Sequence, residues 1–184
     1  MGRNKAFLEF EGQMLLARGL GKLRQVCGQV TIVGDKEIYS GYGRAISDVF
    51  PNCGPLGGIH AALAQSVAEL NLMLAVDMPF VSGDLLAFLL RQASESTAIV
   101  IVPRTRRGLQ PLCAVYRAAF ADVAEKAIRA GNYKIDAAFA GIPIYVVSDA
   151  DLTAAGFSER DFFNVNTPDD WRWAADLNRV DLNP

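Results

Sequence analysis

Short apolar segments alternate with longer amphipathic segments along most of the chain. The apolar segments are rich in β-branched residues and bounded by turn residues, which is typical of strands buried on both faces. The predicted strands are Gln29–Gly34, Asn71–Val76, Ala98–Pro103 (ended by its proline) and Pro143–Val147. The predicted helices are Met14–Val26, Leu56–Leu70, Gly83–Ala93, Ala118–Ala130 and a last one after Pro168. This alternation predicts an α/β fold with a mostly parallel sheet and helices on both faces.

The length and composition predict one globular domain over residues 1–184. No repeat or linker divides the 184 residues, and 51% hydrophobic residues with 21% charged residues exclude a disordered chain. Eighteen basic and twenty acidic residues give a net charge of −2, which argues against nucleic acid as a partner. No apolar run reaches the roughly 18 residues of a membrane helix, so we expect no membrane partner either.

The cysteines predict a reducing compartment. Cys27, Cys53 and Cys113 are odd in number, far apart and without a CxxC spacing. This pattern argues against a disulfide framework or a structural zinc site. We therefore expect small buried or half-buried side chains and a cytoplasmic protein.

The beginning of the chain differs from the usual opening of an α/β domain. Such a domain usually opens with a buried strand, whereas this chain opens with a polar loop and a short alternating segment, Ala6–Phe10. A turn at Glu11–Gly12 then leads into the first helix. We expect that the first strand and the loop after it lie before Met1.

Two carboxylates are candidates for a functional site. Ligands of open α/β sheets bind outside the carboxyl ends of the strands, and Asp77 closes a predicted strand. A carboxylate there can hold Mg²⁺ together with substrate phosphates. Asp77 could instead cap the next helix, although Ser82 directly precedes that helix and is better placed. Asp48 precedes a loop, where it could bind a ligand or simply form a turn.

Several further segments have both a functional and a structural interpretation. The Gly54–Gly58 turn leads into a helix, where unpaired N–H groups favour anions, but it could be only a tight connection. Lys5 could contact phosphates or remain a solvated charge. Arg104, Arg106 and Arg107 form a basic turn between two strands that could steer an anionic substrate.

The remaining polar motifs exclude two kinds of site and predict the start of the last helix. His60 is the only histidine, which excludes a histidine-based triad or a multi-histidine metal site. Thr167 before Pro168 predicts an N-cap with proline at the first helical position. This cap leaves Asn164 and Asn166 without a structural explanation.

Taken together, the motifs resemble the molybdenum cofactor guanylyltransferases. MGRNK looks like the end of that family's LAGG-x-S-x-R-M-G-x-x-K signature, and FLEFEGQMLL fits the segment after it. ISD, GPLGGI and VDMPF follow in the family's order, and QPLCAVYR and FNVNTPDD match its later segments. The resemblance implies a Rossmann-like, three-layer nucleotidyltransferase fold whose first strand and LAGG loop would precede Met1.

The resemblance also implies a reaction and a set of site residues. The family transfers GMP from GTP to the terminal phosphate of molybdopterin and releases pyrophosphate, with Mg²⁺ as cofactor. Lys5 would contact the GTP phosphates and Asp77 would hold Mg²⁺, both as catalytic residues. The other implied nucleotide-site residues are Asp48, Gly54, Pro55, Leu56 and Gly57. Asn164 and Asn166 would lie toward molybdopterin.

Other functions stay open at this stage. The base would be read largely by the loop before Met1, so a cytidylyltransferase acting on the same cofactor, or on a sugar or isoprenoid phosphate, is an alternative. A non-catalytic nucleotide-binding subunit is another. Molybdoenzymes or other cofactor-biosynthesis proteins are the protein partners that the resemblance suggests.

Overall fold

The structure is a computed structural model that describes residues 4–181, without the side chains of 175 and 177–181. The strands are β1 (Glu9–Phe10), β2 (Gln13–Met14), β3 (Thr31–Val33), β4 (Arg44–Ile46), β5 (Leu70–Leu74), β6 (Val100–Thr105), β7 (Gly108–Leu109), β8 (Cys113–Arg117) and β9 (Ile144–Val147). The α-helices are α1 (Leu15–Val26), α2 (Lys36–Tyr39), α3 (Gly54–Ala64), α4 (Gly83–Ser94), α5 (Phe120–Arg129), α6 (Ile135–Ala138), α7 (Asp149–Ala154) and α8 (Pro168–Asp181).

The main sheet has the strand order β5-β8-β6-β7, with β9 beside β6. β8 is antiparallel to both β5 and β6, so those two strands run in the same direction, and β9 is parallel to β6. β3 and β4 form a separate parallel pair, and β1 and β2 form a small antiparallel hairpin. The predicted α/β fold is confirmed, with β7 and β8 running opposite to β5, β6 and β9.

Helices cover both faces of the main sheet. Leu56 of α3 and Phe120 of α5 are fully buried in one core cluster with Val102 of β6. Leu86 of α4 lies in a second cluster with Ile101, the neighbouring residue of β6. Because successive strand residues point to opposite faces, the continuous apolar run in β6 supplies both cores. This three-layer packing is the arrangement that the sequence predicted.

Some predicted boundaries are wrong, for identifiable reasons. Pro103 does not end its strand, because β6 continues to Thr105. Pro103 pairs with Val147 of the parallel strand β9, and the ladder of β6 with β8 has already ended at Ile101. Its carbonyl still accepts a hydrogen bond from Gln110 N at 2.8 Å. A proline is tolerated where no ladder partner needs its missing N–H.

The glycine-rich segment before the third helix is also different from the prediction. α3 begins at Gly54 and ends at Ala64, so the predicted turn is the first helical turn, while Leu70 already belongs to β5. Gly54 has φ of 61°, and Asn52, two residues earlier, has φ of 63°, so two left-handed residues on either side of Cys53 lead the chain into the helix.

Two predicted helix caps are confirmed. The Ser82 side chain accepts a hydrogen bond from Leu85 N at 3.1 Å and caps α4. Thr167 Oγ1 accepts from Asp170 N at 3.1 Å, and Asp170 in turn accepts from Thr167 N at 2.7 Å. The second pair is a reciprocal capping box that begins α8 at Pro168.

The cysteines match the expectation of buried or half-buried side chains. Cys53 and Cys113 are buried free thiols, and Cys27 is a half-buried one. Among residues 4–181, no helix is both long and apolar enough to cross a bilayer.

Arg117 at the end of β8 ties three chain segments together. Its guanidinium donates to the carbonyls of Ala98 at 3.0 Å, Ser96 at 2.6 Å and Ala93 at 3.2 Å. It also pairs with Glu69 at 3.1 Å. The arginine thus satisfies carbonyls at the end of α4 and in the connection to β6, so this residue of the QPLCAVYR motif has a structural role.

We predict that Arg117→Lys destabilises the fold by about 1–3 kcal/mol, because an ammonium group cannot reach all three carbonyls and leaves some of them unpaired. Chemical denaturation measures the change in the free energy of unfolding. Arg106→Lys is the matched control, since that side chain is 84% exposed and should change stability by less than about 0.5 kcal/mol. Equal effects of the two substitutions would contradict this role.

Candidate functional site

Three polar side chains from distant parts of the chain meet at the carboxyl end of β5. Lys5 Nζ lies 3.7 Å from Asp77 Oδ2 and donates a hydrogen bond to Asn166 Oδ1. A backbone hydrogen bond of 2.8 Å from Val165 N to the Asp77 carbonyl joins the two segments beside the lysine. Lys5, Asp77 and Asn166 were all predicted as site residues, and the structure brings them into contact.

A short 3₁₀ helix, Lys5–Phe7, holds the lysine in place. The Asn4 side chain accepts from Ala6 N at 3.1 Å and caps this turn. Ala6 is buried against Leu16 of α1 and Ile32 of β3. Anchoring the next residue in the core therefore orients the Lys5 ammonium toward Asp77. Met1–Arg3 of the MGRNK motif lie outside the described residues.

Asn164 carries an unpaired polar atom beside this cluster. Its Oδ1 is buried and has no hydrogen-bond partner among the described residues. The neighbours Phe163 and Val165 are buried, whereas Asn166 is exposed. Because buried polar atoms are normally hydrogen-bonded, this amide is a candidate to contact a ligand. The two asparagines that the N-cap left unexplained thus lie beside Asp77.

Burial determines the electrostatics of Asp77. Loss of hydration raises the pKa of this carboxyl group above its ordinary value, opposed by the Lys5 charge, by a bond from its own backbone N–H and by the hydrogen bond from Lys5. The ionised form is therefore incompletely compensated in the folded protein. Such a carboxylate gains from any further cation that approaches it.

A second group of predicted residues lies at the start of α3. Asp48 follows β4, and its Oδ1 is 3.7 Å from the position that a Cβ on Gly58 would take. Burial raises the pKa of Asp48 as well. Gly54, Pro55 and Asp48 border one cleft between β3 and β5. This group is separate from the contacts made by Lys5, Asp77 and Asn166.

Two of the predicted nucleotide-site residues face the protein interior. Leu56 is fully buried in the core. A Cβ on Gly57 would approach Phe50 O at 3.0 Å and Cys53 Cβ at 3.2 Å, so this glycine allows close packing. Leu56 and Gly57 can therefore offer a ligand only their backbone groups in the first turn of α3.

The basic turn with Arg106 and Arg107 joins β6 and β7 as a hairpin. It lies near the segment that carries Asn164 and Asn166, called the asparagine segment below. Arg107 Nε lies 3.1 Å from Glu159 Oε1, and its guanidinium carbon is 5.5 Å from the ring centre of Phe163. Arg106 extends instead toward Asp149 at 3.9 Å. Arg107 is therefore the member of this turn that lies next to Asn164. The sequence contained the three arginines but could not distinguish between them.

His60 belongs to the packing. It is 4% exposed, its Nε2 lies 3.6 Å from Glu125 Oε2, and its ring centre is 4.9 Å from that of Phe50. These contacts tie α3 to α5 on a core face. Its burial and these contacts give His60 a structural role.

The single carboxylate of Asp77 suits a metal ion that takes most of its other ligands from the substrate. Residues 4–181 contain no cluster of three or more histidine, cysteine, aspartate or glutamate side chains that could hold a metal. Asp77 offers a desolvated carboxylate with an incompletely compensated charge. Mg²⁺ is commonly held by one or two carboxylates plus phosphate oxygens and water, and this chemistry fits Asp77.

The three-layer fold and the polar residues at its strand ends define the Rossmann-like nucleotidyltransferase class. The profile of the MobA-like NTP transferase domain matches residues 1–142. The chain therefore belongs to the MobA-like NTP transferase family.

Two relatives extend the match over most of the chain. A probable molybdenum cofactor guanylyltransferase of Pelotomaculum thermopropionicum is 36% identical over 173 residues, covering 92% of this chain and 83% of the relative. A molybdenum cofactor guanylyltransferase of Desulfosudis oleivorans is 29% identical over 171 residues, covering 92% and 84%.

Solved structures agree with the fold. Molybdopterin-guanine dinucleotide biosynthesis protein A from Archaeoglobus fulgidus has a TM-score of 0.85 at 27% identity, covering 97% of this chain and 92% of that one. The 2-C-methyl-D-erythritol 4-phosphate cytidylyltransferase from Thermus thermophilus has a TM-score of 0.71 at 21% identity, covering 96% and 94%. The second likeness shows a shared fold only.

We predict that Asp77→Asn stabilises the unliganded protein at neutral pH. Because burial raises the pKa of Asp77, the folded state binds its proton more tightly than the unfolded state does, and stability falls as pH rises through that raised pKa. The neutral amide avoids this loss. The stabilisation should shrink as the pH falls toward the ordinary aspartate value of 3.8.

Thermal unfolding at several pH values measures this effect. Asp176→Asn, an exposed aspartate of α8, is the control and should show no such pH-dependent gain. A lower melting temperature of Asp77→Asn at pH 7 would mean that the Lys5 ion pair outweighs the desolvation of the carboxylate.

Proposed function

We propose that this protein transfers GMP from GTP to molybdopterin and releases pyrophosphate, with Mg²⁺ as cofactor. The contact of Lys5 with both Asp77 and Asn166 at the end of β5 is the observation that carries the proposal. The names of the relatives support the same reaction. A lysine ammonium between a metal-binding carboxylate and an amide suits a site that neutralises phosphate charge.

The proposed chemistry is an in-line displacement. A terminal phosphate oxygen of molybdopterin attacks the α-phosphorus of GTP, the bond from that phosphorus to the bridging oxygen breaks, and pyrophosphate leaves with the electron pair. Such a reaction depends on positioning and charge neutralisation more than on an acid–base pair. It needs no covalent intermediate on the protein.

Each site residue has a distinct task in this proposal. Lys5 binds the GTP phosphates and stabilises the negative charge that develops on them. Asp77 holds Mg²⁺, which would supply additional charge neutralisation at the phosphates when bound. Asp48, Pro55 and the backbone N–H groups of Gly54, Leu56 and Gly57 at the start of α3 border the nucleotide on its other side.

The asparagine segment would bind the acceptor. Asn164 offers a buried amide oxygen that has no partner within residues 4–181, and a ring N–H of molybdopterin would satisfy it. Asn166 is exposed and already touches Lys5, so it would connect the acceptor to the phosphate-binding lysine. The two substrates would then meet over Asp77.

Two further points belong to the proposal. The three free thiols favour a reducing compartment, and we propose the cytoplasm. Cofactor-biosynthesis proteins or molybdoenzymes are the proposed recipients of the product.

The central test is pyrophosphate release by the full-length protein with molybdopterin and either GTP or CTP. We predict Mg²⁺-dependent release with GTP as the preferred nucleotide, and a loss of at least about 100-fold in kcat for Asp77→Asn. Asp176→Asn should retain activity. Preference for CTP would favour a cytidylyltransferase, and nucleotide binding without release by an intact protein would favour the non-catalytic alternative.

We predict that Arg107 contributes to acceptor binding, because its guanidinium lies over Phe163 next to Asn164. Arg107→Gln should raise the KM for molybdopterin about 5- to 10-fold, as expected for one exposed charge near an anionic substrate, and leave the KM for GTP within about twofold. Arg106→Gln is the control on the same turn. Equal changes in both KM values would contradict a role confined to the acceptor.

A further inference from the structure

The 3₁₀ helix that carries Lys5 contacts the segment that follows β3. The side chain of Asn4 meets the phenol group of Tyr39, the last residue of α2. At the other end of the turn, the ring of Phe7 packs against those of Tyr39 and Tyr42, with ring centres 5.9 and 5.6 Å apart. The lysine is therefore flanked on both sides by residues that contact one other part of the chain.

The hydroxyl group of Tyr39 holds the amide of Asn4 in one orientation. Asn4 Oδ1 accepts the capping hydrogen bond from Ala6 N at 3.1 Å, so the amide nitrogen points the other way. That nitrogen donates to Tyr39 Oη at 2.8 Å, and the Tyr39 hydroxyl donates to Oδ1 at 3.2 Å. A phenol group can both accept and donate, so it satisfies both ends of the amide. Tyr39 thus fixes the rotamer with which Asn4 caps the turn.

The end of β3 sets the position of Tyr39. Asp35 caps α2 by accepting from Glu37 N at 2.9 Å, and its carbonyl accepts from Tyr39 N at 3.0 Å. The Tyr39 ring lies directly on Gly34, where a Cβ would be only 2.8 Å from the ring atom Cε2. Glycine leaves room for this close approach. Gly34 N in turn donates to Ile46 O at 2.9 Å, at the end of β4.

Tyr39 therefore connects two parts of the candidate site. The strand end on which its ring lies belongs to the pair of β3 and β4, and Asp48 follows β4 by two residues. Its hydroxyl reaches the turn that carries Lys5, at the end of β5. The group around Asp48 and the group around Lys5, which share no direct contact described above, are joined by this one side chain.

The exposure of this contact indicates a local role. Asn4 is exposed and Tyr39 is half-buried. Hydrogen bonds at such positions exchange with bonds to water and add little to global stability. The turn that depends on the cap has only three residues, and 3₁₀ turns have weaker hydrogen-bond geometry than α-helices. Loss of the hydroxyl should therefore affect the turn, and with it Lys5, before it affects the fold.

We propose that Tyr39 is a positioning residue for Lys5. Its hydroxyl fixes the cap formed by Asn4, the cap fixes the turn, and the turn directs the lysine ammonium toward Asp77 and Asn166. Tyr39 acts through Asn4 and not by contact with the nucleotide. The catalytic consequence rests on the proposed function, whereas the effect on the position of Lys5 does not.

Tyr39→Phe tests the contact, because it removes the hydroxyl and keeps the ring. We expect amide hydrogen exchange at Ala6 to become at least about fivefold faster and the NOE between the side chains of Lys5 and Asn166 to fall by at least about twofold. Tyr42→Phe is the matched control, because its ring packs on the same phenylalanine while its recorded hydrogen bond, with Arg24, uses the carbonyl. The control should change neither signal.

A glycine pair tests the position of the ring. Gly34→Ala keeps the hydroxyl but forces the Tyr39 ring away from the end of β3, so it should also speed exchange at Ala6. Gly41→Ala is the control, since a Cβ at that glycine meets no atom within 4 Å. Equal exchange at Ala6 in the two variants would contradict the role of the ring contact.

Kinetics distinguish positioning from a structural role. Tyr39→Phe should lower kcat by about 10-fold, as expected for a displaced charged group, and by less than about twofold when Lys5 is already replaced in Lys5→Gln. A purely structural tyrosine would lower the melting temperature and leave the contact between Lys5 and Asn166 unchanged. An equal loss of activity in both backgrounds would indicate direct contact of Tyr39 with the nucleotide. Each of these two results would overturn the proposal.

The NMR measurements stand apart from the reaction. Unchanged exchange at Ala6 in Tyr39→Phe, or an equal change in Tyr42→Phe, would overturn the positioning role whatever the activity. If the parent protein releases no pyrophosphate, the proposed reaction fails. Faster exchange at Ala6 and a weaker NOE from Lys5 to Asn166 in Tyr39→Phe would still establish that Tyr39 positions Lys5.

Discussion

The hydrogen bond from Val165 N to the carbonyl of Asp77 determines the geometry of the candidate site. It attaches the segment that carries Asn164 and Asn166 to the end of β5, nearly ninety residues earlier in the chain. Lys5 then bridges the two sides from the amino-terminal segment. Three distant parts of the chain thus meet at one strand end, which is where ligands of open α/β sheets bind.

Two features of this site lower the stability of the unliganded protein and favour the binding of a ligand. Burial raises the pKa of Asp77, and the Lys5 ammonium compensates its charge only in part. The amide oxygen of Asn164 is buried and has no hydrogen-bond partner in the part of the chain that the structure describes. Both features cost stability in the unliganded protein and are relieved by a cation and a hydrogen-bond donor, respectively. The physical properties of the site agree with the nucleotidyltransferase family to which the chain belongs.

The sequence predicted the parts of the fold that depend on local patterns. The apolar run before Asp77 and the capping residues Ser82 and Thr167 carry their own structural signals, and the structure confirms them. The sequence pattern does not predict β8 and predicts that Pro103 ends its strand, because ladder pairing between distant strands decides both. The candidate residues were found from motifs, but their grouping required tertiary structure. No sequence pattern shows that Lys5 touches Asn166 while Leu56 is buried.

The most direct measurement of the central claim uses Mn²⁺ in place of Mg²⁺, since its unpaired electrons broaden nearby NMR signals. With GTP bound to the full-length protein, we expect Mn²⁺ to broaden the side-chain amide signals of Asn164 and Asn166 while that of Asn132, beyond α5, stays sharp. Asp77→Asn should remove the broadening. Broadening that persists in this variant, or that spares both asparagines, would contradict a single metal and nucleotide site at the end of β5.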